Sequence, residues 1–418
     1  MFSVLSGAWA LLLGMMLLQV GNGMQSTLLG IRGGLEGFST FEMSLVMSGY
    51  FIGFLSGSRR APGMIQRVGH VRVFAALASL ISAVILLYPT FTNVYAWAFG
   101  RVLIGFCFSG VYVTAESWLN NAATNENRGK ALSLYMLVQM MGIVSAQGLM
   151  LAADPSGFIV FIIPSILVSL SFAPILLTVS KQTPQYDVAK PMSLKELFVV
   201  SPLGVVGQFL LGGVFAAQFG MAAVFGAEAG LSIGEISTFV ATFYVGALIV
   251  QFPLGWLSDR MDRRLLILFA ALACGFGALL GMIFGNVFSV LLVAAFIVGG
   301  MSNPLYSLLI AYTNDFLNHE DMAAAAGGMV FVNGLGAVFG PVTTGWIMGI
   351  VGPSGFFLFI TSLCLCMAAY AGYRMTQRAA PSVEDTDSYS VVAPSASPAA
   401  VAIAQEIAIE AAQESEEA

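Results

Sequence analysis

The chain has 418 residues, 58% of them hydrophobic and only 9% charged, with a formal net charge of −6. A water-soluble domain carries about 25% charged residues, so this composition excludes a soluble globule and points to a chain dissolved in lipid. The four cysteines, Cys107, Cys274, Cys364 and Cys366, all fall inside apolar runs. They show neither zinc nor disulfide-framework spacing, and they read as small hydrophobic side chains.

A bilayer-spanning helix needs about 20 apolar residues, and lipid forces every backbone group to pair internally, which favours helices. Twelve predicted spans follow in chain order: 8–31, 42–62, 72–89, 94–117, 131–152, 157–179, 202–227, 235–257, 265–285, 288–312, 325–350 and 354–375. The first basic residue, Arg32, comes only after the first apolar segment, so that segment reads as a retained helix rather than a signal peptide. Tyr88-Pro89, Gly285-Asn286 and Gly352-Pro353 supply breaks between successive spans. Short alternating segments of the kind a membrane β-barrel needs are missing. The expected fold is therefore an all-α polytopic membrane protein, with twelve transmembrane helices in two pseudo-symmetric six-helix bundles.

An even number of spans puts both termini on one side. On that side lie Arg59, Arg60, Arg67, Arg72, Arg128, Lys130, Lys181, Lys190, Lys195, Arg260, Arg263, Arg264, Arg374 and Arg378, 14 of the 16 basic residues. Excess positive charge marks the cytoplasmic face, so both termini are expected inside. Arg32 opposes this locally and is outvoted by the later loops. The expected organisation is an N-terminal bundle over 1–180, a cytoplasmic loop over 181–201, a C-terminal bundle over 202–376 and an acidic tail over 377–418. Residues 379–418 hold eight acids and no Lys or Arg, so removing them turns the net charge from −6 to +2. Their Ala, Ser, Pro and Glu content predicts disorder, with helix-forming potential over Ala400–Glu414.

The halves look duplicated. The run GMIQRVGHVR (Gly63–Arg72) follows the second span and the run GWLSDRMDRR (Gly255–Arg264) follows the eighth; both are basic and contain glycine. ESWLN (Glu116–Asn120), leaving the fourth span, echoes NDFLN (Asn314–Asn318), leaving the tenth. The fourth span carries two charges. At 1.5 Å per residue, Arg101 and Glu116 are about 22 Å apart and cannot pair. They share a stripe with Gly105, Phe108 and Tyr112. Arg101 lies roughly 10 Å inside the outer end, where an ionisable group is costly and functional by default. It either contacts an anionic solute or locks the bundle, with Gln19, Asn22 and Ser26 of the first span as uncharged partners. Glu116, near the cytoplasmic mouth, pairs with Arg128 as an inner gate, stands as a solvated acid at a helix end, or carries a proton after burial raises its pKa. In the second half the gate counterparts are Asp315 with Asp259, Arg260 and Arg263. Gln218, Asn303 and Tyr306 are polar positions on spans seven and ten; each serves as a solute contact or as a helix–helix hydrogen bond. His70 and His319 read as loop residues. No nucleotide-binding motif, cofactor motif or clustered catalytic set appears.

These loop and helix motifs resemble the major facilitator superfamily over all of the chain but the tail. Its loop signature, G-x-x-x-D-R-x-G-R-R, is matched by Gly255, Asp259, Arg260, Arg263 and Arg264, with Asp262 in place of the second Gly. The first copy is degraded, with Gln66 where the Asp is expected. Arg101 and Gly105 match an R-x-x-x-G element, and VTAESWLNNAATNENRGKALSLYM resembles the YcaD-like branch. The resemblance implies a central cavity lined by spans 1, 4, 7 and 10, alternating access by rocking bundles, a small-molecule substrate, and coupling to protons. It also implies a monomer in the inner membrane with no nucleic-acid partner and no cofactor. Arg101 with few cavity acids favours an anionic or zwitterionic solute. Efflux of toxic compounds is the alternative, and a membrane signalling or scaffold protein is the rival from another class.

Overall fold

The computed structural model describes residues 2–122, 125–177, 192–377 and, further on, 389, 391, 392, 396, 397, 400, 401 and 404. Among them no strand occurs. Twelve long helices carry the described chain: α1 Phe2–Leu35, α2 Thr40–Val68, α3 His70–Leu87, α4 Val94–Ala122, α5 Asn125–Leu149 and α6 Ile159–Leu176, then α7 Pro202–Glu228, α8 Ile233–Ser258, α9 Arg263–Phe284, α10 Phe288–Asn314, α11 His319–Val351 and α12 Gly355–Met375. Ten are long and apolar enough to cross a membrane; α1 and α2, at 34 and 29 residues, complete the set. Large apolar side chains such as Phe252, Phe276, Trp346 and Ile350 stay more than half exposed. In water such a surface would aggregate; in a bilayer it meets lipid.

Local chemistry sets the helix ends. Ser39 and Glu42 form a capping box that starts α2, and Ser193 with Glu196 does the same for the short helix Leu194–Val200 before α7. One residue, Gly69 with φ +84°, separates α2 from α3, a left-handed turn that glycine adopts without a Cβ penalty. The expected loop over Gly63–Arg72 is thus a correction: α2 runs on to Val68, since Ile65 is still buried there. His70 and His319 likewise open helices rather than sit in loops.

Two compact units emerge. The first holds Met1–Val188, Phe219–Ala241 and Pro341–Pro353. In it α2 and α4 touch backbone to backbone: a Cβ at Gly105 would overlap the Tyr50 carbonyl oxygen, and one at Gly53 the Val102 carbonyl oxygen. Its end remote from the N-terminus draws α1, α2, α7 and α11 together. There Thr40 Oγ1 donates to Glu228 Oε1 at 2.8 Å, Ser26 Oγ donates to the Phe219 carbonyl at 3.3 Å, and Gly345 packs on Ser44. Arg32 ties α1 to Glu36 and to the Pro155 carbonyl at 3.0 Å.

The second unit holds Ala189–Gln218, Thr242–Gly340 and Ser354–Ala418. It repeats the close approach at the matching places of its own helices: Cβ atoms at Gly246 and Gly299 would strike the Phe296 and Phe243 carbonyl oxygens. The α8–α10 contact is therefore built like the α2–α4 contact, which is the duplication seen from the backbone. The dividing points within α7 and α11 fall at a π-turn, Ala217–Met221, and at Pro341. Cys274 and Cys364, from α9 and α12, bring their thiols to 3.1 Å, a juxtaposition that their sequence spacing does not show.

Candidate functional site

Each unit carries a buried polar cluster on helices that are otherwise oil. In the first, Tyr112 OH donates to Gln19 Oε1 at 2.8 Å, and Gln19 Nε2 donates to Gln139 Oε1 on α5 at 2.8 Å. Asn22 Nδ2 donates to Tyr112 OH at 3.2 Å, and Asn22 Oδ1 accepts from Gln25 Nε2 at 3.3 Å. The chain of amides ends at Arg101, whose Nη1 donates to Gln25 Oε1 at 3.3 Å. The Arg101 guanidinium also sits 4.8 Å from the centre of the Tyr50 ring, and its Nε finds no hydrogen-bond partner. Only 2% of Arg101 is exposed.

A buried guanidinium held by one neutral amide and one aromatic face is under-compensated. A desolvated cation–π contact contributes about 2 kcal/mol, whereas an ion removed from water costs several kcal/mol. No carboxylate bonds to Arg101 among the described residues. The partners expected on α1 are Gln19, Asn22 and Ser26. The structure joins Arg101 to Gln25 instead and turns Ser26 to the Phe219 carbonyl. Gln25 was legible as the next step of the 19, 22 stripe. Tyr50 and Gln139 were not, because nothing in sequence fixes which faces of α2 and α5 meet that stripe.

The second unit holds related groups at corresponding places. Gln208 takes the place of Gln19, Tyr306 that of Tyr112, and Asn333 that of Gln139. Asn333 Nδ2 donates to Gln208 Oε1 and Gln208 Nε2 donates to the Tyr306 carbonyl, both at 3.1 Å. Tyr306 is fully buried beside Phe215. Gln218 lies within the π-turn of α7 and exchanges hydrogen bonds with Ser302 Oγ at 3.0 and 3.2 Å; such turns recur at functional positions in helices. Asn303 Nδ2 bonds the Gly299 carbonyl of its own helix at 3.1 Å. The second half has no counterpart of Arg101 in its cluster. When Gly105 is matched to Gly299 and Tyr112 to Tyr306, the place of Arg101 falls to Ala295.

At the other end of α4, Glu116 is 1% exposed and accepts from Tyr135 OH at 3.3 Å, which removes the solvated-acid reading. The side chain of Arg128, its expected partner, lies outside the described residues. In the second half, Arg263 pairs with Asp315 and bonds the Ala311 carbonyl at 3.4 Å and Ser258 Oγ at 3.2 Å. Its Nη2 stands 3.8 Å from Asp259. Arg260, grouped with these acids on sequence, turns away to cover the Trp256 ring at 4.3 Å. It is exposed and donates to the backbone carbonyl of Trp256. In the first half His70 occupies the Arg263 place, with Nε2 3.0 Å from Ser117 Oγ. A neutral pair thus replaces the ion pair where the loop signature is degraded. Between α8 and α9 Asp262 caps the second helix by accepting from Arg264 N at 2.9 Å. Burial works to raise the Asp262 pKa, but the hydrogen bonds and charge of Arg264 hold it below the usual carboxylate value.

Buried polar clusters thus recur in the two halves of an otherwise apolar helical protein. Residues 11–232 and 204–404 match the family described as Major Facilitator Superfamily, and the chain belongs to it as a multi-pass membrane transporter. Within the superfamily it falls with the YcaD-like branch. It is 25% identical over 358 residues to the uncharacterized MFS-type transporter YcaD of Salmonella arizonae, covering 84% of this chain and 92% of that protein. It is 26% identical over 357 residues to YcaD of Escherichia coli O6:K15:H31, again with 84% and 92% covered. Among solved structures it is similar in fold to the nucleoside transporter NupG, with a TM-score of 0.69, 14% identity, and 87% of this chain and 98% of that one covered. It is equally similar to a D-xylose-proton symporter, with a TM-score of 0.69, 14% identity and coverages of 91% and 99%.

Proposed function

We propose that this protein moves a small anionic or zwitterionic organic solute across the inner membrane, coupled to protons, by rocking-bundle alternating access. It works as a monomer with both termini in the cytoplasm. The observation that carries this reading is Arg101: a buried guanidinium with a neutral amide, an aromatic face and an unpartnered Nε has donors left for a carboxylate or phosphate. Gln19, Asn22 and Tyr112 supply neighbouring amide and hydroxyl groups that orient the rest of the solute. In the second half, Gln218, Asn303 and Tyr306 are the polar groups we assign to solute contact. Arg263 with Asp315 and Asp259 forms the inner gate of that half. Glu116, buried beside Tyr135, is the carboxylate placed to take up the coupled proton or to pair with Arg128. The similar fold of the D-xylose-proton symporter supports proton coupling.

Purified protein in proteoliposomes, read by solid-supported-membrane electrophysiology, tests this. A pool of small carboxylates and amino acids should give currents, and Arg101→Ala should abolish them. Currents with lipophilic cations alone would replace this reading by efflux of toxic compounds.

A further inference from the structure

The segment after α12 is acidic overall, yet its charges are not spread evenly. Glu384, Asp385 and Asp387 precede, and Glu406, Glu410, Glu414, Glu416 and Glu417 follow, an uncharged window over residues 388–405. Past Gln377, all described residues fall inside that window. The expectation of disorder covers 377–418, most of which lies outside the described residues, but Val392, Ala396, Ser397, Ala400, Val401 and Ala404 are each no more than 2% exposed. Ala400, Val401 and Ala404 are helical.

The window makes specific bonds within the second unit. Tyr389 N donates to Asp259 Oδ1 at 2.7 Å, and the Tyr389 ring lies over Gly255, where a Cβ would sit 2.7 Å from Cδ1. Three residues on, Val392 N donates to Ser307 Oγ at 3.0 Å while Ser307 Oγ donates to the Val392 carbonyl at 3.1 Å. One hydroxyl thus serves as both acceptor and donor for one backbone residue, using both sides of its chemistry. Ser307 lies on the α10 stripe with Asn303, about 10 Å in from the helix end at Asn314. The window therefore starts at the signature loop between α8 and α9 and reaches inward along α10.

Its composition fits that path. Carboxylates would be expensive to bury there, and none stands among the buried described residues of the window.

We infer that Tyr389, Val392 and the other described residues of the window form a tethered plug that occupies the inner end of the second unit along α10, masks Ser307 and ties down the exposed carboxylate of Asp259. Asp259 belongs to the loop signature, so the plug also holds the loop that a rocking carrier has to release. The inference rests on the carrier reading only for this consequence; the occupancy itself is tested without any substrate.

The full-length chain carrying Ser307→Cys, in membrane vesicles with the cytoplasmic face outward, would be treated with a membrane-impermeant maleimide, the parent chain giving the background of the native cysteines. Alkylation of residue 307 should be slow with the native tail and at least tenfold faster with Val392→Asp. Tyr389→Pro, which removes the N–H given to Asp259, should give an intermediate rate. These substitutions lie after the last helix and leave its folding intact, checked by a monodisperse elution profile. Equal rates in all three chains would overturn the plug. As a second arm, Ser307→Cys with Val392→Cys should form a disulfide under mild oxidant, identified as a joined peptide pair by mass spectrometry. Failure to join would also overturn it, and joining without protection would reduce the segment to a surface strap and overturn the masking. Where the electrophysiology gives a current, Val392→Asp should raise it; silence with every solute pool would count against the carrier reading and leave the alkylation result standing.

Discussion

Arg101 shows how a single buried charge can be held without an opposite charge. Its Gln25 bond and Tyr50 face are neutral, so the local field stays positive. Lys keeps the charge but loses the planar fork and the stacking geometry. Arg101→Lys should therefore retain folding and lose at least tenfold in apparent affinity for an anionic solute, read by substrate-dependent thermal shift. If Arg101 only locked the bundle, Arg101→Lys would lower the melting temperature without changing that shift. Gly105 supports a different prediction. Its missing side chain lets α4 lie on the Tyr50 carbonyl, and backbone cannot yield as a flexible side chain can. Gly105→Ala should cost about 1–3 kcal/mol by overpacking, measured by thermal unfolding in detergent. Gly63, which has open space around it, should accept Ala with little change.

At the scale of helices and their connections, the two halves keep the same contacts with different chemistry. The α8–α9 loop closes on Arg263 and Asp315, whose side chains are both 2% exposed. Arg263→Ala strands a buried carboxylate and should cost roughly 3–5 kcal/mol. Removing both partners, as Arg263→Met with Asp315→Leu, should cost clearly less, because no charge is left unpaired. A double-mutant cycle on purified protein measures the difference. The cap at Asp262 adds a pH dependence. Its folded-state pKa is depressed, so the stabilisation it brings is complete above the ordinary aspartate value of about 3.9. That contribution is lost as pH falls through the lower folded value. Asp262→Asn, which keeps an acceptor for Arg264 N, should flatten this acid limb in a melting-temperature series. In the first half the His70–Ser117 contact carries no such pair. The signature loops are thus asymmetric, with Arg263 and Asp315 paired in one half and His70 against Ser117 in the other, above the same kind of glycine contact.

For the whole molecule, the orientation we propose from the charge count, with the basic loops and both termini on the cytoplasmic face, is open to a direct test. A fluorescent protein fused after Ala418 should fluoresce, and a periplasmic-only reporter at the same point should be silent; the reverse pattern would invert the topology. The helix count, the breaks at Gly285 and Gly352, the duplicated halves and the inward stripe of α4 were legible along the chain, because lipid imposes one rule on every segment: long, apolar and internally bonded. Arg101 and Glu116 stood out for the same reason, as charges that segment should not have tolerated. The partners of those charges were not legible. Tyr50 for Arg101, Tyr135 for Glu116, and the choice of Arg263 over Arg260 for Asp315 depend on which faces of different helices meet, and an apolar helix pattern is nearly uniform around its circumference. The tail was least legible of all. Its average composition reads as disorder, yet described residues of its uncharged window bond Asp259 and Ser307 in the second unit. Sequence alone determined the solvent, the number of helices and the positions that had to be exceptional. Tertiary structure decided what each exceptional residue touches, because hydrogen-bond geometry between helices is set by rotation and close approach rather than by composition.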